Sequence, residues 1–233
     1  MSKTVGILGG MGPLATVDLF AKIVENTPAE RDQEHLRIII DNHPQIPPRV
    51  EAALYGAESP LPAMIESARL LEKAGADFIV MPCNTAHYWL KELAAAVPVP
   101  VYDMIENAAE FIAGNHPEFS GKLLLLATGA TVKLDLYQKA FAKKGLLLRL
   151  PAEDEQTVID DAIKRVKVGE LSANPYRDAL NAMLDRYFQD GVKAIVGGCT
   201  EIPLLFPFLH DSLERFDATL LLARTVVKAA RGA

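Results

Sequence analysis

The chain has 233 residues, half of them apolar and few aromatic, with charged residues interspersed along its length; this is the composition of an ordinary globular enzyme or binding protein and excludes a disordered one. Its formal charge of -6, with 24 Lys and Arg residues scattered rather than gathered into a stripe, excludes a broad nucleic-acid surface. Two cysteines cannot frame a small disulfide-bonded domain, so a reducing, cytoplasmic setting is expected.

Lys3 and the apolar run from Val5 to Leu14 superficially resemble a signal peptide. Gly9-Gly10 and Gly12-Pro13 interrupt that run, and it passes into Asp18 and an amphipathic stretch, so it reads as strand, loop and helix. No segment approaches the roughly 18 unbroken apolar residues of a membrane span, and no membrane partner is expected. Further strands are predicted at Leu36 to Asp41, Phe78 to Met81, Leu123 to Ala127, Leu146 to Leu150 and Ala194 to Val196, following one at Thr4 to Leu8. Between them, Pro62 to Ala74 carries Met64, Ile65, Ala68, Leu70 and Leu71 at helical spacing, and Tyr176 to Phe188 does so with Leu180, Met183, Leu184 and Tyr187. Gly75 and Gly191 stop these two helices. Short apolar strands alternating with helices predict an α/β fold with mostly parallel sheets.

An internal echo divides the chain. The run from Gly75 to Thr85 aligns without a gap to that from Gly191 to Glu201, and Val5 to Thr16 aligns more loosely to Leu123 to Thr131, with copies about 116 to 118 residues apart. Two similar halves follow: residues 1–101 rejoined by 208–233, and residues 102–207. The first regains a C-terminal helix from Thr219 to Ala230, whose Leu220, Leu221, Ala223, Val226, Val227 and Ala230 form an apolar face.

The echo places Cys83 and Cys199 at equivalent strand ends, where open parallel sheets bind ligands. If the halves pack face to face, a cleft has one cysteine on each wall, the arrangement a two-base proton transfer requires. With a reference pKa of about 8.5, one thiol can serve as base while the other stays acid. Asn84, Thr85 and Thr200, with backbone N–H groups at the following helix starts, offer hydrogen bonds to a substrate carboxylate. Burial as a small hydrophobe is the ordinary state of such a cysteine, and the matched position tells against it here. Cys83 and His87 supply two metal ligands with no further cluster, so no metal is expected and His87 reads as a packing or capping residue.

Gly9-Gly10-Met11-Gly12-Pro13 follows a strand but lacks the GxGxxG order, so it reads as a tight loop for a small anion rather than a nucleotide site. Thr128, Gly129 and Thr131 occupy the corresponding loop and are expected to contact the same ligand. Arg49, on a proline-stiffened loop from Pro44 to Pro48, is placed to clamp a carboxylate. Lys164 and Lys167 compete for a similar role near a helix end.

Four motifs in register, Gly9-Gly10-Met11-Gly12-Pro13-Leu14-Ala15-Thr16, Gln45-Ile46-Pro47 with Arg49, Pro82-Cys83-Asn84-Thr85-Ala86-His87 and Gly197-Gly198-Cys199-Thr200-Glu201-Ile202, resemble the aspartate racemase branch of the aspartate/glutamate racemase superfamily over essentially the whole chain. The resemblance implies a pseudo-two-fold α/β fold with the site between its halves, no pyridoxal phosphate or metal, a homodimer, an acidic amino acid as substrate and the two cysteines as proton donor and acceptor. It also implies that Arg49 and Lys167 bind carboxylates, that Met11, Asn84, Thr85, Thr128, Thr131, Thr200 and Glu201 line the substrate, and that Cys199 faces the L-enantiomer and Cys83 the D-enantiomer. Glu201 stands where glutamate racemases resemble one another in a histidine, which argues for the aspartate branch; Pro48 and Val50 replace the Asp and Thr that often flank the arginine. Hydantoin racemisation, maleate isomerisation, arylmalonate decarboxylation and non-catalytic amino-acid binding are the alternatives on such a scaffold.

Overall fold

A computed structural model describes residues 2–232. They form two compact units, one running to Met104 and resuming at Thr219, the other from Ile105 to Ala218.

The first unit contains β1 (Val5–Gly9), α1 (Pro13–Asn26), β2 (Ile38–Asn42), α2 (Arg49–Tyr55), α3 (Leu61–Lys73), β3 (Phe78–Val80) and α4 (Leu90–Ala95). Its sheet is parallel, in the order β2-β1-β3, with Val5 opposite Ile38 on one side and Phe78 on the other. Because neighbours and helices cover β1 on every side, all five of its residues are buried, as a central parallel strand requires.

The second unit contains α5 (Met104–Asn115), which starts at the boundary, then β4 (Leu123–Leu126), α6 (Gly129–Lys133), α7 (Leu136–Lys143), β5 (Leu148–Arg149), α8 (Glu153–Lys167), α9 (Arg177–Gln189), β6 (Ala194–Gly197), α10 (Ile202–Leu205) and β7 (Glu214–Asp217). Its sheet is also parallel, in the order β5-β4-β6-β7. The last helix, α11 (Ala218–Arg231), returns the chain to the first unit.

The sequence echo is an echo of hydrogen bonds. After α3 the N–H of Ala76 donates to the Leu71 carbonyl at 3.0 Å, and after α9 the N–H of Val192 donates to the Tyr187 carbonyl at 2.9 Å. Each closure needs a left-handed residue before the donor, supplied by Gly75 at φ 94° and Gly191 at φ 86°. Each unit then runs into its third strand, and β3 lies beside β1 as β6 lies beside β4. The fourth position differs: β6 pairs with the full strand β7, whereas β3 has only a parallel bridge from Ile79 to Val101.

Three expectations are corrected. Residues 208–218 belong to the second unit, not the first, because β7 is hydrogen-bonded along β6 from Glu214–Ala194 to Asp217–Gly197. The strand expected over Leu146 to Leu150 shrinks to two paired residues, Leu148 and Arg149, at the edge of its sheet. Leu70 does not join the buried stripe of α3, which is Met64, Ser67, Ala68 and Leu71; it is 53% exposed. Among the described residues no helix is long and apolar enough to cross a membrane.

Candidate active site

Cys83 follows β3 by three residues and Cys199 follows β6 by two. Both are free thiols, each 6% exposed, and each belongs to the apolar cluster of its own unit. The chain after each sulfur turns into helix: a five-residue 3-10 helix, Thr85–Trp89, passes directly into α4 after Cys83, and the four-residue α10 passes into a 3-10 turn, Phe206–Phe208, after Cys199.

The backbone that carries the first sulfur is held by an imidazole. His87, 8% exposed, has Nδ1 2.8 Å from the Cys83 carbonyl oxygen, and the N–H of Met104 donates to its Nε2 at 3.1 Å. A carbonyl only accepts and an amide N–H only donates, so the proton sits on Nδ1 and the ring is neutral. Burial pushes its pKa down, outweighing the nearby Asp103 carboxylate and the bond to Cys83 that favour the charged form. A ring locked at both nitrogens fixes the backbone that carries the thiol. Asn84 and Thr85 are buried beside it, at 2% and 6% exposure.

The second sulfur meets a carboxylate. Cys199 Sγ donates to Glu201 Oε2 at 2.9 Å, and the Thr200 hydroxyl donates to the same oxygen at 3.2 Å. Thr200 and Glu201 are as buried as Asn84. Burial above all, and then the Glu201 charge, push the Cys199 thiol up; the Lys167 charge acts in the opposite direction. Lys167 is the last residue of α8, a helix with Glu153, Asp154 and Glu155 in its first turn and Lys164, Arg165 and Lys167 in its last, both signs matching the macrodipole. Lys164, in the same turn, donates to Asp161 Oδ1 at 2.8 Å on the exposed side of α8.

The loops before these elements are tied internally. Gly10 takes φ 90°, where a Cβ would stand 2.4 Å from the His43 carbonyl carbon, and its N–H donates to the Thr16 hydroxyl at 2.9 Å. The loop thus satisfies one of the donors expected for an anion. Met11 is buried in the cluster that contains Cys83, while its carbonyl accepts from Arg49 Nη2 at 3.1 Å. Arg49 is not on a loop, as its proline-rich approach suggested, but is the first residue of α2. Its Nη1 donates to the Ile46 and Pro47 carbonyls at 3.1 Å each, while Nε is buried without a partner. In the second unit the Thr128 hydroxyl caps α6 by accepting from the Thr131 N–H at 3.3 Å and lies 3.0 Å from the Thr131 hydroxyl. The N–H of Gly129 donates to Asp160 Oδ1 at 2.9 Å, so a side chain of the protein occupies that helix start.

Sequence reasoning missed Asp160, the Met104 amide and the contact between Glu201 and Cys199. The first two lie 31 and 17 residues from their partners and leave no local pattern; the third is signalled by a carboxylate two residues from the thiol. Among the described residues no group of three or more His, Cys, Asp or Glu is placed to hold a metal ion.

A sequence profile of the Asp/Glu/hydantoin racemase family matches residues 8–226. The fold is similar to that of an aspartate racemase from Picrophilus torridus, with a TM-score of 0.87 and 32% identity, covering 98% of this chain and 94% of that one. It is similar also to an aspartate racemase homologue from Pyrococcus horikoshii, at a TM-score of 0.76 and 26% identity over 98% of this chain and 99% of that one. A broad specificity amino-acid racemase from Bacillus subtilis is 26% identical over 233 residues, 96% of each chain.

Proposed function

We propose, from the premise that the chain belongs to the Asp/Glu/hydantoin racemase family and is an amino-acid racemase, that it interconverts L- and D-aspartate by passing the α-proton between Cys83 and Cys199. The observation that carries this reading is a buried free thiol just past the third strand of each unit, in a chain alike over its length to an aspartate racemase.

One sulfur, as thiolate, takes the α-proton and becomes a thiol; the electron pair left on carbon spreads into the substrate carboxylate as an enediolate. The S–H of the other cysteine then protonates the opposite face and is left as thiolate. Acid and base both come from the chain, so the step calls on no cofactor. Lys167, whose charge already acts on Cys199, attracts one substrate carboxylate. Arg49 serves the other, and the polar residues flanking each sulfur, Asn84, Thr85 and Thr200, supply hydrogen bonds to the enediolate.

A second reading keeps the chemistry and widens the substrate. The likeness to a broad specificity racemase favours it, as does the replacement of acidic and hydroxyl neighbours of Arg49 by Pro48 and Val50. Incubating the reduced protein with each common amino acid in deuterated water, and following loss of the α-hydrogen signal together with optical rotation, separates the two. Aspartate alone should exchange and racemise under the first reading, and a panel under the second; absence of exchange with every amino acid rejects both. Cys83→Ala and Cys199→Ala should each lower racemisation by about 10²–10⁴-fold, the usual contribution of a positioned acid or base. Full activity in either variant would remove the two-thiol step.

A further inference from the structure

The two thiols stand at matched positions of a repeat, yet their neighbours differ in charge. Aligning Gly75 with Gly191 pairs Cys83 with Cys199 and Thr85 with Glu201, so a neutral hydroxyl stands in the first copy where a carboxyl group stands in the second. Glu201 is 2% exposed, and its Oε2 receives both the Cys199 Sγ–H and the Thr200 hydroxyl. An oxygen that accepts from two donors is committed as an acceptor. A two-thiol racemase needs one sulfur protonated and the other not, and a symmetric pair offers no means of deciding which.

We infer that Glu201 is a positioning residue that makes this decision: its buried carboxylate, bonded to Cys199 Sγ–H, holds Cys199 as the thiol of the resting enzyme, so that Cys199 enters the cycle as proton donor. The inference rests on the two-thiol reading above for its catalytic meaning. Its physical content does not, because a buried negative charge against a thiol opposes formation of a second negative charge whatever the protein catalyses. The role differs from the substrate contact expected for Glu201, since this carboxylate is turned to the protein's own sulfur. Other ionisable groups at that strand end are Lys167, at the end of α8, whose charge favours the thiolate, Asp217 of β7, paired with Gly197, and Tyr137 of α7, buried against Gly198. Cys199 also belongs to the apolar cluster of the second unit's core.

The chain has two cysteines, so Cys83→Ser leaves Cys199 as the one thiol, and its rate of alkylation by iodoacetamide across pH reports the thiolate fraction at that site. The midpoint should lie above the value of about 8.5 for a free cysteine. Adding Glu201→Gln, which keeps the shape and removes the charge, should lower it by about one unit or more, giving about tenfold faster alkylation at pH values below both midpoints. Glu201→Asp should stay nearer the parent than Glu201→Gln does, and Lys167→Met should move the midpoint upward. In the two-cysteine protein, Glu201→Gln should bring the alkaline limb of kcat/KM to lower pH, because Cys199 then loses its proton sooner. A Cys199 midpoint at or below that of a free thiol in the single-thiol parent overturns the inference, with no dependence on whether the Gln variant folds. So does a midpoint that Glu201→Gln leaves unchanged or raises. The titration counts thiol and not turnover, so failure here is distinct from failure of the racemase reading, which the exchange experiment decides.

Discussion

Arg49 spends its guanidinium on three backbone carbonyls, those of Ile46, Pro47 and Met11, and thereby fastens the glycine-rich loop to the start of α2. The flat fork of Arg reaches acceptors on two sides at once, which the single ammonium of Lys cannot reproduce. Arg49→Lys therefore separates two roles: the charge that attracts a carboxylate remains while the anchor is lost. Urea unfolding should show Arg49→Lys and Arg49→Ala both less stable by about 1–2 kcal/mol, as loss of charge-assisted hydrogen bonds implies. Only Arg49→Ala should also raise KM severalfold. Equal stability of Arg49→Lys and the parent would deny the anchor. The residue type was legible in the sequence, since an Arg amid prolines in an acidic chain invites attention. Its partners were not, because Met11 lies 38 residues away and is reached through a backbone oxygen, which carries no residue identity.

At the scale of elements, the 3-10 turn of Thr85–Trp89 owes its place to a ring that stays neutral. His87 has its proton on Nδ1 for the Cys83 carbonyl and its Nε2 free of one for the Met104 amide, and burial holds its pKa below the ordinary value. A second proton on the ring would break the bond from Met104. The unfolded chain has no such restriction and takes up that proton below a pH of about 6.5. Above that pH the ring is neutral in both states and adds no pH dependence; as pH falls below it, the unfolded state binds more protons and stability is lost. Urea midpoints measured at pH 7.5 and 5.5 should therefore fall more steeply in the parent than in His87→Gln, and parallel slopes would exclude His87 as the cause. Sequence patterns reached the long elements and the glycine stops because helical periodicity and left-handed φ both constrain residue type. They overstated β5, where an apolar run is only an edge, and missed β7, whose Glu-Arg-Phe-Asp has one buried residue and becomes a strand through pairing with β6.

For the molecule as a whole, the repeat was legible because two copies of one strand-and-cysteine unit repeat their spacing, and the two parallel sheets share the order of their first three strands, β2-β1-β3 and β5-β4-β6. The point at which the chain returns to its first unit was set eleven residues too early, because only β7's hydrogen bonds to β6 reveal to which sheet residues 214–217 belong. The returning helix α11 is bound to its unit at several points. The N–H of Lys3 donates to the Ala230 carbonyl at 2.8 Å, Arg231 donates to the Pro28 and Glu34 carbonyls, and Leu222, Ala223 and Val226 are fully buried. Leu222→Ala removes a buried side chain and leaves a cavity, at a cost of about 2–5 kcal/mol. The protein's single tryptophan, Trp89, is 9% exposed in the first unit's core, so its fluorescence follows that unit alone. If α11 is part of the first unit's fold, Leu222→Ala should move the Trp89 unfolding transition to lower urea by an amount corresponding to that cost. A transition left in place would mean that the C-terminal helix contributes nothing to the unit that carries Cys83.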